Sequence, residues 1–293
     1  MGTPFLGPEA LQAGVLTRGQ LRWRYAATTH PRVYVRTDGP HTLSSRIVAG
    51  WLWSDRRAVI AGRAAAFMHG AQWVDDGVPV EMITRHGRKR AGIVVRGEKL
   101  ADDEICRIGD LAVTTPVRTA LDLARFLSPV EALAQLDDLA SVTGVGAADV
   151  LTLAARYPGL RGIRQARIAL DLMDPGSQSP KESWLRWVLI DGGFPPPRTQ
   201  IPVTDGANVA YLDMGYDDPK IGFDYDGAIH QTDRRRFVHD IGRAEMIDRQ
   251  GWIDIHVVAE HSRAFVLHRA REAFIRRGHP VPPISTRGRR ATP

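Results

Sequence analysis

The sequence predicts a chain of mixed α/β class, of the α+β kind, and three observations carry that expectation. Residues 179–258 alternate hydrophobic patterning in the order helix, two or three strands, helix, strand. Upstream, runs rich in β-branched residues, such as Val33-Tyr34-Val35, alternate with segments of helical periodicity and small side chains. Of the 293 residues, 43% are hydrophobic and 25% charged, the balance of an ordinary globular protein, and the length suits two domains, each with its own core. The domain expectation is an N-terminal region over residues 1–172, a linker over 173–178, a C-terminal domain over 179–277 and a disordered basic tail over 278–293. The linker is placed at Met173-Asp174-Pro175-Gly176-Ser177. The tail carries Pro280, Pro282, Pro283 and the Arg287–Arg290 run.

In the N-terminal region, Thr17 is placed to cap a short helix that includes Gln20 and Leu21, and Arg32–Arg36 alternates as a strand. Ser44–Trp53 and Ala58–His69 read as helices. Val78–Arg85 and Gly92–Arg96 read as strands. Thr114-Thr115-Pro116 starts a helix from Val117 to Phe126, and Val130–Ala140, Ala147–Ala155 and Gly162–Met173 add three more.

In the C-terminal domain, Ser179 at the N-cap, Pro180 at the first helical position and Glu182 at the third form a capping box for a helix that ends at Gly192-Gly193. Short strands follow around Leu212-Asp213-Met214 and Phe223-Asp224-Tyr225-Asp226-Gly227, with turn chemistry at Asp217-Asp218-Pro219. A helix over Asp233–Arg249 carries Phe237, Ile241, Ala244 and Ile247 on its apolar stripe and Arg236, Asp240 and Arg243 beside it. Gly251 stops that helix, and Trp252–Val258 reads as a strand.

The acids of this segment are the candidate chemistry. Side chains alternate along a strand, so Asp224 and Asp226 share one face while Phe223 and Tyr225 pack on the other. Carboxylates inside strands oppose propensity and are costly to bury as charges, and a shared divalent cation is one arrangement that explains them. The candidate catalytic set is Asp213, Asp224 and Asp226, with Glu182 as a helix acid and His230 as an acid or base near neutrality. Glu182 also has a capping role open to it.

These residues, Ser179-Pro180-x-Glu182, Asp213, Asp224-Tyr225-Asp226-Gly227, His230, Asp240, Arg243 and Gly251-Trp252, resemble the PD-(D/E)xK restriction-endonuclease fold. More closely they resemble a Vsr-like domain, related to the very-short-patch-repair endonuclease, over about residues 178–276. The resemblance implies a restriction-endonuclease-like α-β-β-β-α-β core, Asp213 and Asp224 as ligands of Mg²⁺ (or Mn²⁺), and metal-dependent hydrolysis of DNA phosphodiesters. The sequence departs from the pattern twice. Asp224 stands where a Glu is usual, and Asp226 stands where the wider superfamily carries its catalytic Lys. In the N-terminal region, the Thr17 helix followed by Arg32–Arg36 resembles the degenerate start of the winged helix of AbiEi-type antitoxins, over about residues 10–140. Little room remains between Leu21 and Arg32 for a full recognition helix.

A net charge of +6 fits a partner that is a polyanion. Lysine occurs only at 89, 99, 181 and 220, so nearly all of the 39 basic residues are arginine, whose planar fork matches phosphate. Candidate nucleic-acid contacts are Arg88, Lys89 and Arg90 in one loop, and Arg234, Arg235, Arg236 and Arg243 on the helix after the acids. The single cysteine, Cys106, excludes an internal disulfide and reads as a small buried hydrophobe. No run of 18 apolar residues and no leader pattern are present, so a cytoplasmic protein without membrane contact is expected. Two functions follow: a Mg²⁺-dependent DNA endonuclease, or a non-catalytic, antitoxin-like DNA-binding regulator with a decayed nuclease domain. A toxin or repair protein is a partner compatible with either.

Overall fold

The computed structural model describes residues 3–38, 42–85, 90–227 and 234–282, the stretch 234–240 in backbone only. Arg88, Lys89 and His230 therefore lie outside the described residues, as does the tail from residue 283 on. Arg234, Arg235, Arg236 and Asp240 fall within the stretch described in backbone only. The class is α+β, as expected. The chain divides into two compact units, residues Met1–Phe126 with Leu139–Leu170, and residues Leu127–Asp138 with Asp171–Pro293.

The first unit opens with β1 (Phe5–Leu6), α1 (Gly7–Gln12), α2 (Arg18–Arg24), β2 (Tyr25–Ala27) and β3 (Val33–Arg36). The strands form an antiparallel sheet in the order β1-β3-β2. Thr17 caps α2 as expected: its Oγ1 accepts the Gln20 N–H at 3.2 Å, and Gln20 Oε1 accepts the Thr17 N–H at 2.8 Å. Next come α3 (Leu43–Trp53), β4 (Val59–Ile60), α4 (Gly62–Met68), β5 (Val80–Ile83), β6 (Ile93–Arg96), β7 (Ile105–Ile108) and β8 (Leu111–Thr114). The helices α5 (Pro116–Phe126), α6 (Pro129–Thr143), α7 (Ala147–Ala155) and α8 (Ile163–Asp171) follow, with α6 belonging to the second unit up to Asp138. The five-stranded sheet runs β6-β5-β4-β8-β7.

One helix is corrected. Ala58–His69 is not continuous, because Val59 and Ile60 form the central strand of that sheet, between β5 and β8. Their β-branched side chains suit a fully covered strand, and Gly62, at φ +55°, turns the chain into α4. Ile60 joins Leu43, Ile47, Ala64, Met82 and Val113 in the core, with Cys106 packed at its edge as a partly buried thiol.

A buried ionic network sits on α5. Arg118, 1% exposed, places its guanidinium on Glu98, Glu104 and Asp122. Arg125 adds bonds to Asp122 at 3.0 Å and to Glu98 at 2.8 Å. Three carboxylates face two guanidiniums, and burial raises the Asp122 pKa to about 6. Since this lies above the unfolded value of about 3.9, the folded state binds the extra proton, and stability falls as pH rises through that interval.

The second unit contains α9 (Pro180–Asp191), β9 (Arg198–Thr204), β10 (Val209–Tyr216), β11 (Ile221–Tyr225), α10 (Arg234–Arg249), β12 (Ile253–Val257) and α11 (Arg263–Arg276). Its sheet runs β12-β11-β10-β9, antiparallel except for the parallel β11–β12 pair. Leu185, Val188, Leu189, Met214, Phe223, Ile255, Val257, Val266 and Phe274 form its core. The segment read as a linker is pinned. The Asp174 N–H donates to Asp137 Oδ1 at 2.8 Å, Thr199 Oγ1 lies 3.0 Å from the Asp174 carboxylate, and Ser177 is buried. Asp137 also takes Ser183 Oγ and Arg186 Nη2, each at 2.6 Å, which ties the first part of α6 to α9.

Asp122→Asn should remove the acid-side component of the stability profile. Between about pH 4 and pH 6 the wild type is expected to lose up to about 3 kcal/mol relative to the variant in urea unfolding. Parallel profiles would show that Asp122 does not carry it.

Candidate functional site

The sequence sets Asp213 in β10 and Asp224 in β11, and the register of that pair fixes where they meet. Met214 pairs with Phe223, Gly215 with Gly222 and Tyr216 with Ile221, so Asp213 and Asp224 occupy the next opposed positions, on one face of the sheet. Backbone pairing ends there. Instead, the Asp213 N–H donates to Asp224 Oδ1 at 2.9 Å and the Tyr225 N–H donates to Asp213 Oδ2 at 2.7 Å. Each carboxylate accepts an amide of the strands as they part, which explains acids inside strands without invoking a metal.

Arg243 of α10 completes the pair. Its Nη2 donates to Asp224 Oδ2 at 2.6 Å and to the Tyr211 carbonyl at 2.6 Å, and its Nη1 lies 4.0 Å from Asp254 Oδ2. This residue, read as a phosphate contact, is instead an ion-pair partner of the strand acid. It also sets the rotation of α10. Arg243, Met246 and Ile247, at helical spacing, face the sheet, and Met246 and Ile247 are buried. Of the apolar stripe expected over Phe237, Ile241, Ala244 and Ile247, Ile247 is packed, but Ile241 is 46% exposed and Ala244 is exposed, and the side chain of Phe237 lies outside the described residues. The Arg243 ion pair turns that stripe partly toward solvent.

The parallel strand β12 brings two further groups. His256 is the register partner of Asp224, and Asp254 lies two residues before it on the same face. His256 Nδ1 lies 2.8 Å from Asp226 Oδ2, and its Nε2 lies 3.2 Å from Asp254 Oδ2. Contact with Asp254 foremost, and the bond to Asp226, raise the His256 pKa to about 9 against the effect of burial. Asp226, at the position of the superfamily lysine, is therefore a partner of His256. Sequence reasoning passed over Asp254 and His256. The polar-apolar-polar alternation Asp254-Ile255-His256 matches that of Asp224-Tyr225-Asp226 and was the available signal.

Glu182 is held at the cap of α9. Its N–H donates to Ser179 Oγ at 3.2 Å, and its Oε2 accepts the Gln178 N–H at 2.8 Å, one residue before the cap. It is also buried close enough to the strand acids to interact with them. Burial raises its pKa, and the Asp224 charge adds to this. Asp213 rises to about 7, first through burial and further through the charges of Glu182 and Asp224, with the Tyr225 N–H opposing. Asp224 is raised by burial and by Asp254, with Arg243 opposing.

Asp213 and Asp224 are the pair that the resemblance implies for Mg²⁺. Asp213 Oδ2 accepts the Tyr225 N–H, with its carboxyl raised to a pKa of about 7 by burial, and Asp224 Oδ2 accepts from the Arg243 guanidinium.

In the first unit, Arg90 lies in a β-bridge to Ile93. On α2, Trp23 is 81% exposed and the Arg22 guanidinium lies 5.8 Å from its ring. Arg18 and Arg24 share this short helix, and no ion pair engages Arg18, Arg22 or Arg24 among the described residues.

Residues 52–174 match the family model of the AbiEi antitoxin C-terminal domain. The chain is also similar to uncharacterized proteins of two strains of Mycobacterium tuberculosis. It is 25% identical to each over 222 residues, which covers 75% of this chain and 82% of theirs. No solved structure matches. No single helix among the described residues is long and apolar enough to cross a membrane. The nuclease resemblance rests on the residues of about 178–276 alone.

Arg243→Leu should leave buried carboxylates without their counter-charge and lower stability by about 3–5 kcal/mol at pH 7. Asp213→Asn should do the opposite. Because the folded pKa of Asp213 lies above its unfolded value, the wild type loses stability as pH rises through about 4 to 7, and the amide does not. A gain of about 2–4 kcal/mol at pH 8 in chemical denaturation is expected. Neutral effects of both changes would contradict the assignment of structural roles.

Proposed function

We propose that this chain is a DNA-binding regulator of the antitoxin type, whose C-terminal unit keeps the layout of a nuclease without its chemistry. The match of residues 52–174 to the AbiEi antitoxin domain carries this reading. The C-terminal geometry supports it. Arg243 holds the second strand acid in an ion pair, burial raises the Asp213 pKa to about 7, and the residue in the lysine position bonds His256.

DNA would be engaged by α2 and the hairpin that follows it. The helix is short, so shape and phosphate contacts, not extended base reading, are its natural mode. Arg18, Arg22 and Arg24 supply guanidiniums, and exposed Trp23 supplies a ring for a sugar or an unstacked base. Arg234, Arg235 and Arg236 at the start of α10 are proposed as a second, sequence-based cluster. A protein partner of the toxin kind fits the same reading.

The test is fluorescence anisotropy on labelled duplexes across a salt series, beside plasmid incubation with Mg²⁺ or Mn²⁺. Affinity should fall steeply with salt, and replacing Arg18, Arg22 and Arg24 by Ala should flatten the log–log slope by about 0.9 for each phosphate no longer neutralised. The plasmid should stay intact. Metal-dependent nicking abolished by Asp224→Asn would overturn the reading in favour of an endonuclease.

A further inference from the structure

The face of the C-terminal sheet that carries Asp224 presents more ligand chemistry than the ion pair uses. A nitrogen or oxygen of Asp224, Asp254 and His256 can be chosen from each so that all three atoms lie within 4.8 Å of one another. Both carboxylate oxygens of Asp254 are buried and have no hydrogen-bond partner among the described residues. His256 Nε2 approaches one of them at 3.2 Å without completing a hydrogen bond. His256 and, at 4.0 Å, Arg243 Nη1 face this carboxylate without closing a hydrogen bond, so its buried oxygens keep lone pairs open to a bound cation.

The imidazole is already oriented for that cation. Asp226 Oδ2 lies 2.8 Å from His256 Nδ1, which directs the other ring nitrogen toward Asp254. A histidine bound to a metal through one nitrogen characteristically donates the other N–H to a carboxylate, which fixes tautomer and ring orientation. The ligands of one zinc ion stand about 2.0–2.2 Å from it, and so roughly 3–4 Å apart, within reach of small rotamer adjustments here. The ligands join two strands, Asp224 on β11 and its register partner His256 on β12, so an ion would clamp the parallel pair.

We propose that Asp224, Asp254 and His256 form a binding site for a divalent transition-metal ion, with Asp226 as the positioning residue of His256. One imidazole with two carboxylates favours zinc, or manganese, over magnesium, which takes oxygen ligands and sheds water reluctantly. Charge agrees. Asp224, Asp226 and Asp254 carry three negative charges when ionised, and Arg243 with a divalent ion supplies three positive ones once the ion has replaced the Nε2 proton of His256. Arg243 stays on Asp224 as counter-cation, and each carboxylate oxygen has a second lone pair for the ion. The site differs from the Asp213–Asp224 pair of the nuclease resemblance and does not depend on DNA binding.

The full-length protein, stripped with EDTA and dialysed, is titrated with Zn²⁺, Mn²⁺ and Mg²⁺ by calorimetry, with melting followed in parallel. One equivalent of Zn²⁺ should bind and raise the melting temperature, with Mg²⁺ at least about 100-fold weaker. His256→Ala should abolish saturable binding. Asp226→Asn should weaken it about 10–100-fold, as removing the carboxylate behind a metal-bound histidine does. Asp213→Asn should keep it within about threefold. Because His256→Ala can perturb folding, Co²⁺ loading of the wild type and of His256→Gln gives a second readout, in which the visible absorption of the bound ion should change. Absence of one-to-one Zn²⁺ binding in the wild type, its survival in His256→Ala, or an identical Co²⁺ spectrum in His256→Gln would overturn the proposal. Loss of binding in Asp213→Asn would overturn it too, placing the ion on the Asp213–Asp224 pair.

Discussion

The C-terminal unit depends on the ion pair between Arg243 and Asp224, joined at 2.6 Å with Asp224 largely buried. Asp224 cannot be buried as a bare charge between strands, and the guanidinium above it offsets that cost. The consequences spread outward. The helix carrying Arg243 is rotated so that Met246 and Ile247 pack beside it, while Ile241 is left half-exposed. The same guanidinium takes the Tyr211 carbonyl on β10, so the pair also ties α10 to the point where β10 and β11 part. The acid constellation of this sheet is in this way held from within the protein.

The same solution recurs wherever this arginine-rich chain buries acids. Asp137 is enclosed by Arg186, Ser183 and the Asp174 amide. Glu98, Glu104 and Asp122 are gathered by Arg118 and Arg125. A rigid planar fork serves several acceptors at once with little further loss of side-chain freedom, which suits arginine better than lysine to this task. Such networks are weak evidence for stability, since each ion loses water on burial. Removing one member is nonetheless expensive, because the others stay behind uncompensated.

Much of the fold was legible in the sequence because its signals are local. The Thr17 and Ser179 caps, the Asp217–Pro219 turn and the order of elements in the C-terminal unit all follow from adjacent residues. Val59-Ile60 was not legible, since two residues set no period and only the flanking strands make them central. Nor was the orientation of α10. Its apolar stripe predicts one packed face and its arginine another, and only the depth of Asp224 decides between them. At the site, alternation placed Asp224 and Asp226 on one face, but the partners of both come from β12 and α10, whose approach no spacing encodes. Asp254 and His256 stayed hidden for that reason, although their own alternation was in view.

The central claim is that Arg243 and Asp224 stabilise each other inside the protein, and a double-mutant cycle measures that coupling most directly. Stability is determined at pH 7, in EDTA, for the wild type, Arg243→Leu, Asp224→Leu and the double variant. The two single losses should exceed what the double variant loses, giving an interaction energy of about 1–3 kcal/mol. Strictly additive losses would mean that the pair is incidental and that Asp224 is held ready for something outside the chain.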